Sequence, residues 1–189
     1  ITVTTRKTRG TLSIFPIDYY PMTAPTTTRY RTVADHGFAE TRLNESNQQL
    51  CFFTKRAFKK GEEIAPFGSG SISTTPTYLT VQVATNKHIM LQPSYLQYIN
   101  HSCEPNCFFD TSAMKVIALA DIEAGEELGF FYPSTEWEMQ QPFTCFCGTP
   151  SCIGEVRGAS FLNREQVAHY RFTDYIVQRL TRKARKKVA

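Results

Sequence analysis

Tyr98-Ile99-Asn100-His101-Ser102-Cys103-Glu104-Pro105-Asn106-Cys107 sets amide, imidazole and thiol chemistry within one short span broken by proline. The run is too polar for an ordinary core strand and too apolar at its entry for an ordinary loop. It becomes specific together with two later segments. Gly125-Glu126-Glu127-Leu128-Gly129-Phe130-Phe131-Tyr132 ends in three aromatic residues. Cys145-Phe146-Cys147-Gly148-Thr149-Pro150-Ser151-Cys152 spaces three cysteines as Cys-x-Cys-x4-Cys.

That spacing suits a metal. Zinc takes four ligands in a tetrahedron, with thiolates at about 2.3 Å, and Cys-x-Cys supplies two corners. Cys152 adds a third, with Gly148 and Pro150 letting the chain loop back; a closed site needs a fourth. An even count of six cysteines also permits disulfides. Against that reading stand a chain long enough to bury a core without staples, no visible secretory leader, and the metal-like spacing. The expectation is a reducing compartment, intracellular, in nucleus or cytoplasm, and no apolar run reaches the ~20 residues of a membrane helix.

In this order the three motifs resemble the SET-domain protein methyltransferases with their post-SET zinc segment, over most of residues 51–158. The resemblance implies a mainly β fold of small sheets with a threaded, pseudoknot-like C-terminal segment, a post-SET zinc site and a C-terminal helix. It implies four stretches: 1–48 as an extended or loop segment packed on the core, 49–142 as the SET domain, 143–158 as the post-SET zinc segment, and 159–189 as a helix with a basic tail. It makes Cys103 the fourth metal ligand beside Cys145, Cys147 and Cys152, with Cys107 a competitor that sequence alone leaves open. It also implies transfer of a methyl group from S-adenosyl-L-methionine to a lysine amine by direct displacement, in a narrow aromatic channel that positions a neutral, desolvated amine.

Residue by residue, Tyr132 matches the family's active-site tyrosine, and Asn100 and His101 match positions that hold the cofactor. Phe146 is placed to touch the adenine. Phe130, Phe131 and Tyr98 are expected along the substrate channel, with Phe130 resembling the roomier, multiply methylating type. Asn106 is expected to tie its loop together. Three departures stand out. The family's opening Gly-x-Gly aligns with Gln49-Leu50-Cys51, and Gly37 replaces it only if the intervening residues loop out; side chains there obstruct the close approach that bare glycine backbone allows. Gln97 stands where the family often has Arg. The usual Phe-Asp-Tyr is Phe130-Phe131-Tyr132, which removes a carboxylate.

Three functions are compatible with these residues. The first is a protein-lysine N-methyltransferase acting on an exposed lysine. The second is a SET scaffold turned to a small-molecule reaction such as cyclisation, with methyl-donor use lost or altered. The third is a non-catalytic binding module. Fold alone does not choose among them.

The rest of the chain supports one domain. Of 21 basic residues, Arg182, Lys183, Arg185, Lys186 and Lys187 cluster at the end, leaving 16 against 17 acidic side chains. The cluster reads as a solvated tail, or more sharply as a weak nucleic-acid or nuclear-import contact. Leu12, Ile14, Phe15 and Ile17 suggest a short extended segment, and Leu50–Thr54 a buried strand. Gly68 and Gly70 with their serines predict a loop. Thr77–Val83 alternates as a strand whose Leu79, Val81 and Val83 face one side, turning at Asn86-Lys87 into a second. Met114–Leu119 and Phe130–Tyr132 are expected as strands, and the Lys60-Gly61 and Ala124-Gly125 segments as matching turns. From Asn163 to Lys183 the apolar residues recur at helical spacing, with Asn163 as N-cap.

Overall fold

The computed structural model describes residues 28–186; the segment around Leu12–Ile17, and Lys187, lie outside them. Two strands that the sequence did not announce come first. β1 (Tyr30–Asp35) and β2 (Ala39–Asn44) form a hairpin through Gly37, whose φ of +82° suits a residue without a Cβ. β3 (Leu50–Thr54) joins them in the order β1-β2-β3. Every residue of β1 is exposed, so no apolar alternation marks it; pairing with β2 alone makes it a strand.

β4 (Glu63–Pro66) comes next, then β5 (Gly68–Ser73), β6 (Thr80–Ala84) and β7 (Lys87–Gln92) in the order β5-β7-β6. The Gly/Ser run expected as a loop is therefore strand β5, paired along β7 with a bulge between Ser69 and Ser71. It is an edge strand, where ladder bonds outweigh poor propensity. β6 is shorter than its alternation predicted, because Tyr78 and Leu79 form a turn. Its polar face is covered as well: Thr80 and Gln82 are buried beside Val81.

β8 (Asn100–His101) pairs in parallel with a later strand. β9 (Cys107–Asp110) and β10 (Lys115–Ala118) complete the sheet β4-β10-β9. The two Gly-Glu-Glu turns face each other: Phe58 and Ile122 exchange backbone hydrogen bonds, both 2.9 Å, and Gly61 and Gly125 take φ of +86° and +91°. Phe52, Phe58, Phe109, Val116, Ile122 and Leu128, each at most 1% exposed, fill the space between these sheets. Burying each such side chain contributes roughly 1.5–3 kcal/mol.

β11 (Gly129–Phe130) is the strand parallel to β8. It stops before Phe131, so of the expected Phe130–Tyr132 strand only Phe130 is strand. Tyr132–Ser134 is a 3-10 turn with Pro133 inside it, since proline has no N–H for a ladder and its fixed φ suits the first turn of a helix. β12 (Phe143–Thr144) and β13 (Glu155–Val156) bracket the cysteine segment.

The predicted C-terminal helix is two helices, α1 (Arg164–His169) and α2 (Asp174–Lys186). Asn163 caps α1 in a reciprocal box with Gln166. The break has a cause at Tyr170. Its ring stacks on Phe131 at 3.6 Å, and its hydroxyl lies 2.9 Å from Cys103 O and 3.1 Å from Ser151 O. Tertiary contacts thus draw Tyr170 out of helical backbone. α2 then docks through fully buried Ile176, while Arg179 stacks on Trp137 and Lys183 bonds Ser160 O. The fold is mainly β, of small sheets with few helices. Among the described residues no helix is long and apolar enough to cross a membrane.

Candidate active site

Cys103 leaves β8 through a bend, and the segment between β12 and β13 returns beside it. The sulfurs of Cys103, Cys145, Cys147 and Cys152 all lie within 4.8 Å of one another, with Cys103 and Cys145 at 3.9 Å. Four thiolates about 2.3 Å from one zinc stand about 3.8 Å apart, so the donor set fits a closed structural zinc. Cys107 is elsewhere, buried with Sγ 3.4 Å from Gly129 O, and Cys51 lies by Asn100. The structure groups Cys103, and not Cys107, with the other three sulfurs. All six cysteines are free thiols. The Ile153 N–H points at Cys103 Sγ at 3.5 Å, and the Thr149 hydroxyl, 3.2 Å from Cys147, brings that thiol down to about 6. Burial pushes Cys103 the other way.

His101 joins this cluster to Tyr132. Its Nε2 is 3.2 Å from Cys103 Sγ, and its Nδ1 accepts the Tyr132 backbone N–H at 3.3 Å. With Nδ1 accepting, the ring proton belongs on Nε2, facing the Cys103 sulfur. Burial holds the imidazole down to about 4, so it is neutral at pH 7 and serves as a strut. The parallel pairing of β8 and β11 makes this possible, and it needs Gly129: a Cβ there would sit 2.8 Å from Ser102 Cβ. Asn106 ties the same corner, donating to Glu127 O and accepting from Gly129 N.

Tyr132 packs on Phe130 (4.8 Å between centroids), His101 (5.3 Å) and Phe143 (6.0 Å). Burial pushes its phenol up to about 12. It keeps its proton across the neutral range. The ring lines a cavity of about 550 Å³, with Tyr98, Asn100, Phe130 and Phe143 beside it and Gln49 and Leu50 at one side. The Asn100 amide is engaged: Nδ2 donates to Leu50 O at 2.8 Å and Oδ1 accepts from Gln49 Nε2 at 3.1 Å. A glutamine side chain thus bridges the place where a bare glycine was expected, and Gly37 stays in its own hairpin.

The structure brings Tyr98, Asn100, Phe130 and Tyr132 to one cavity, with His101 directly behind Tyr132. It does not bring Phe131 there. That ring is 2% exposed and packed between Tyr170 and Phe172. Phe146 projects from the cysteine segment, 89% exposed, outside the cavity lining.

Two residues went unread in the sequence. Tyr170, taken there as part of a helical stripe, clamps the cysteine segment to Cys103. Glu136 is a buried carboxylate on the cavity wall, 8% exposed. A glutamate four residues past Tyr132, in a polar connection, carries no pattern that separates it from a surface acid. The cavity lining holds no Lys, Arg or His among the described residues. Aromatic faces and a lone carboxylate suit a cationic ligand.

Comparison with known proteins agrees with this geometry. Residues 72–133 match the family described as SET domain. The chain is 44% identical over 96 residues to the methyltransferase flvH of Aspergillus flavus, covering 50% of this chain and 53% of that protein. It is 38% identical over 74 residues to a histone-lysine N-methyltransferase, H3 lysine-36 specific, of Aspergillus oryzae, and 37% identical over 70 residues to the histone-lysine N-methyltransferase ash1 of Drosophila melanogaster. These two matches cover 36% and 34% of this chain but 8% and 3% of the relatives. The chain spans about half the length of the Aspergillus flavus relative and a small part of the histone enzymes.

Proposed function

We propose, from the premise that this chain carries a SET domain, that it is an S-adenosyl-L-methionine-dependent N-methyltransferase whose acceptor is a lysine amine, with Tyr132 at the reacting centre. The observation that carries the reading is the connection Cys103–His101–Tyr132, which opens on one aromatic cavity without basic side chains. Both partners arrive as cations, a sulfonium donor and an ammonium that loses its proton before it attacks, and this lining repels neither. Asn100 is the residue assigned to the donor, with Gln49 and Leu50 beside it and His101 behind as a strut, while Phe146 stays outside the cavity lining; when bound, the donor supplies an electrophilic methyl group.

The chain's own work is then positional. Tyr98, Phe130 and Phe143 exclude water and present aromatic faces to positive charge. Tyr132, kept neutral by burial, orients the amine by hydrogen bonding and is too weak an acid to release its own proton at pH 7. Of the four stretches, the described parts, 28–48, 49–142, 143–158 and 159–186, are read as support, catalytic body, zinc-held wall and docking helices. Nucleus or cytoplasm is the expected place of action, and histone-bearing partners are inferred by analogy with the relatives.

Calorimetric titration of the zinc-loaded protein with the methyl donor, followed by radiolabel transfer to lysine peptides, tests this. Tyr132→Phe should keep donor affinity within a few fold and lower turnover by roughly a hundredfold or more. A folded protein without donor affinity overturns the proposal.

One observation favours a second reading, a small-molecule reaction in the same cavity. The Gln49–Asn100 bridge occupies the approach expected for the donor, and about 550 Å³ lies within the range of small-ligand sites. Under that reading an apolar ligand raises the melting temperature and the methyl donor does not.

A further inference from the structure

Beyond Tyr132, the cavity wall carries a carboxylate, Glu136, with a buried histidine behind it. Glu136 lies one turn after Tyr132, its N–H bonded to Tyr132 O. Its Oε1 is occupied, accepting the Gln82 backbone N–H at 2.8 Å and facing the Thr135 hydroxyl at 3.5 Å. Its Oε2 accepts no hydrogen bond among the described residues. His88 Nδ1 stands 4.0 Å away, too far to bond, and is itself buried without a partner. His88 is 4% exposed. A buried imidazole nitrogen without a partner is costly unless something completes it, and the Glu136 Oε2 beside it is free to accept a donor.

We propose that Glu136 Oε2 receives the primary ammonium group of the acceptor substrate, an alkylamine, and takes a proton from it before methyl transfer. This rests on the methyltransferase reading and names its substrate class and proton acceptor. Glu136 is the one carboxylate among the cavity-lining residues, and no basic side chain lines the cavity to neutralise it. The groups around it come from every packed element. β7 gives His88, and the 3-10 turn gives Tyr132. α2 gives Tyr175, whose hydroxyl lies 3.4 Å from Gln82 Nε2, and Arg179, which is engaged with Trp137 and Tyr175. Burial pushes the carboxyl up to about 7, which suits a base for an amine near neutrality.

The step balances. An ammonium proton passes to the carboxylate, leaving a neutral amine. The nitrogen lone pair forms the new N–C bond while the donor's S–C bond breaks, its electrons remaining on sulfur. The product departs as a methylammonium ion, and Glu136 returns its proton to water.

The test uses Glu136→Gln, whose side-chain oxygen can still accept the Gln82 N–H, in the zinc-loaded chain. Titration at pH 8 with n-butylammonium chloride, with n-butanol as control, should show wild type binding the cation in preference to the alcohol. The variant should bind the cation at least tenfold more weakly, and wild-type affinity should fall as pH drops below about 7. Labelled methyl transfer to n-butylamine and to a lysine peptide should fall at least tenfold in the variant at pH 7.5. That deficit should narrow toward pH 10, where the amine loses its own proton, with donor affinity unchanged. Preference for butylamine or for the peptide identifies a free or protein-borne amine. Equal cation affinity in both proteins overturns the proposal, as does a rate deficit that is the same at every pH. A wild type that binds butylammonium but no methyl donor removes the methyltransferase reading and leaves the amine site standing.

Discussion

His101 and His88 are imidazoles withdrawn from solvent, both lowered in pKa by burial, and they sit in opposite circumstances. His101 has both ring nitrogens engaged, one by a backbone N–H and one by a cysteine sulfur. His88 has a buried nitrogen with no partner, 4.0 Å from the Glu136 Oε2. The first arrangement is complete within the chain. The second is incomplete without a ligand or a shared proton. A buried polar group with every bond made is architecture; one left short of a bond marks a place where function can enter.

The complete side should break most severely. Cys103→Ser removes one of four thiolates and the acceptor of the His101 contact. Bound zinc, measured by mass spectrometry, should fall from about one equivalent to almost none. Because structural zinc binding is folding free energy, stability should drop by several kcal/mol, and residues 145–152 should become protease-sensitive. Cys107→Ser, outside the cluster, should keep its metal. If both variants retain zinc, the four-thiolate site is wrong.

The incomplete side makes a smaller prediction with a definite sign. The Glu136 carboxyl is raised from 4.5 to about 7 by burial, so the native state holds its proton more tightly than the unfolded chain. Its contribution is present below pH 4.5 and lost as pH rises to about 7, at most roughly 3 kcal/mol. Denaturation of wild type and Glu136→Gln across pH 4–8 should show curves that diverge in that window, the variant gaining relative stability at high pH. His88 remains in both proteins and cancels to first order. Parallel curves would mean that Glu136 is already neutralised by a group inside the fold.

The two sides were not equally legible in the sequence. The cysteine spacing pointed to a metal site, and the resemblance carried by the Asn100–Cys103 run and by Gly129–Tyr132 supplied Cys103 and Tyr132. These are short-range patterns whose chemistry survives any detail of packing. What stayed hidden depends on distant contacts. β1 is exposed along its whole length and exists only by pairing. β5 has the composition of a loop and the ladder of a strand. Phe131, expected in the channel, turns away because Tyr170 comes back to stack on it. Glu136 is buried because Gln82, 54 residues earlier, meets it through a backbone N–H. No window of neighbouring residues contains either fact.

Tyr170 offers the finest test of the complete side, because one oxygen can be removed without moving the ring. Its hydroxyl reaches both Cys103 O and Ser151 O with a single proton to share, and its ring lies flat on Phe131 with 9° between planes. Tyr170→Phe keeps the stack and deletes the bridge, so the cost should be that of one partly buried hydrogen bond, roughly 1 kcal/mol. Tyr170→Ala removes both and should cost roughly 3–5 kcal/mol. The location of the loss matters more than its size. If the hydroxyl pins the cysteine segment to the Cys103 bend, amide exchange in Tyr170→Phe should quicken at residues 151–153 while β9 and β10 stay protected, and zinc should leave faster in the presence of chelator. Uniform exchange across the fold would mean that Tyr170 stabilises the core through its ring alone, and the clamp would lose its claim to the metal site.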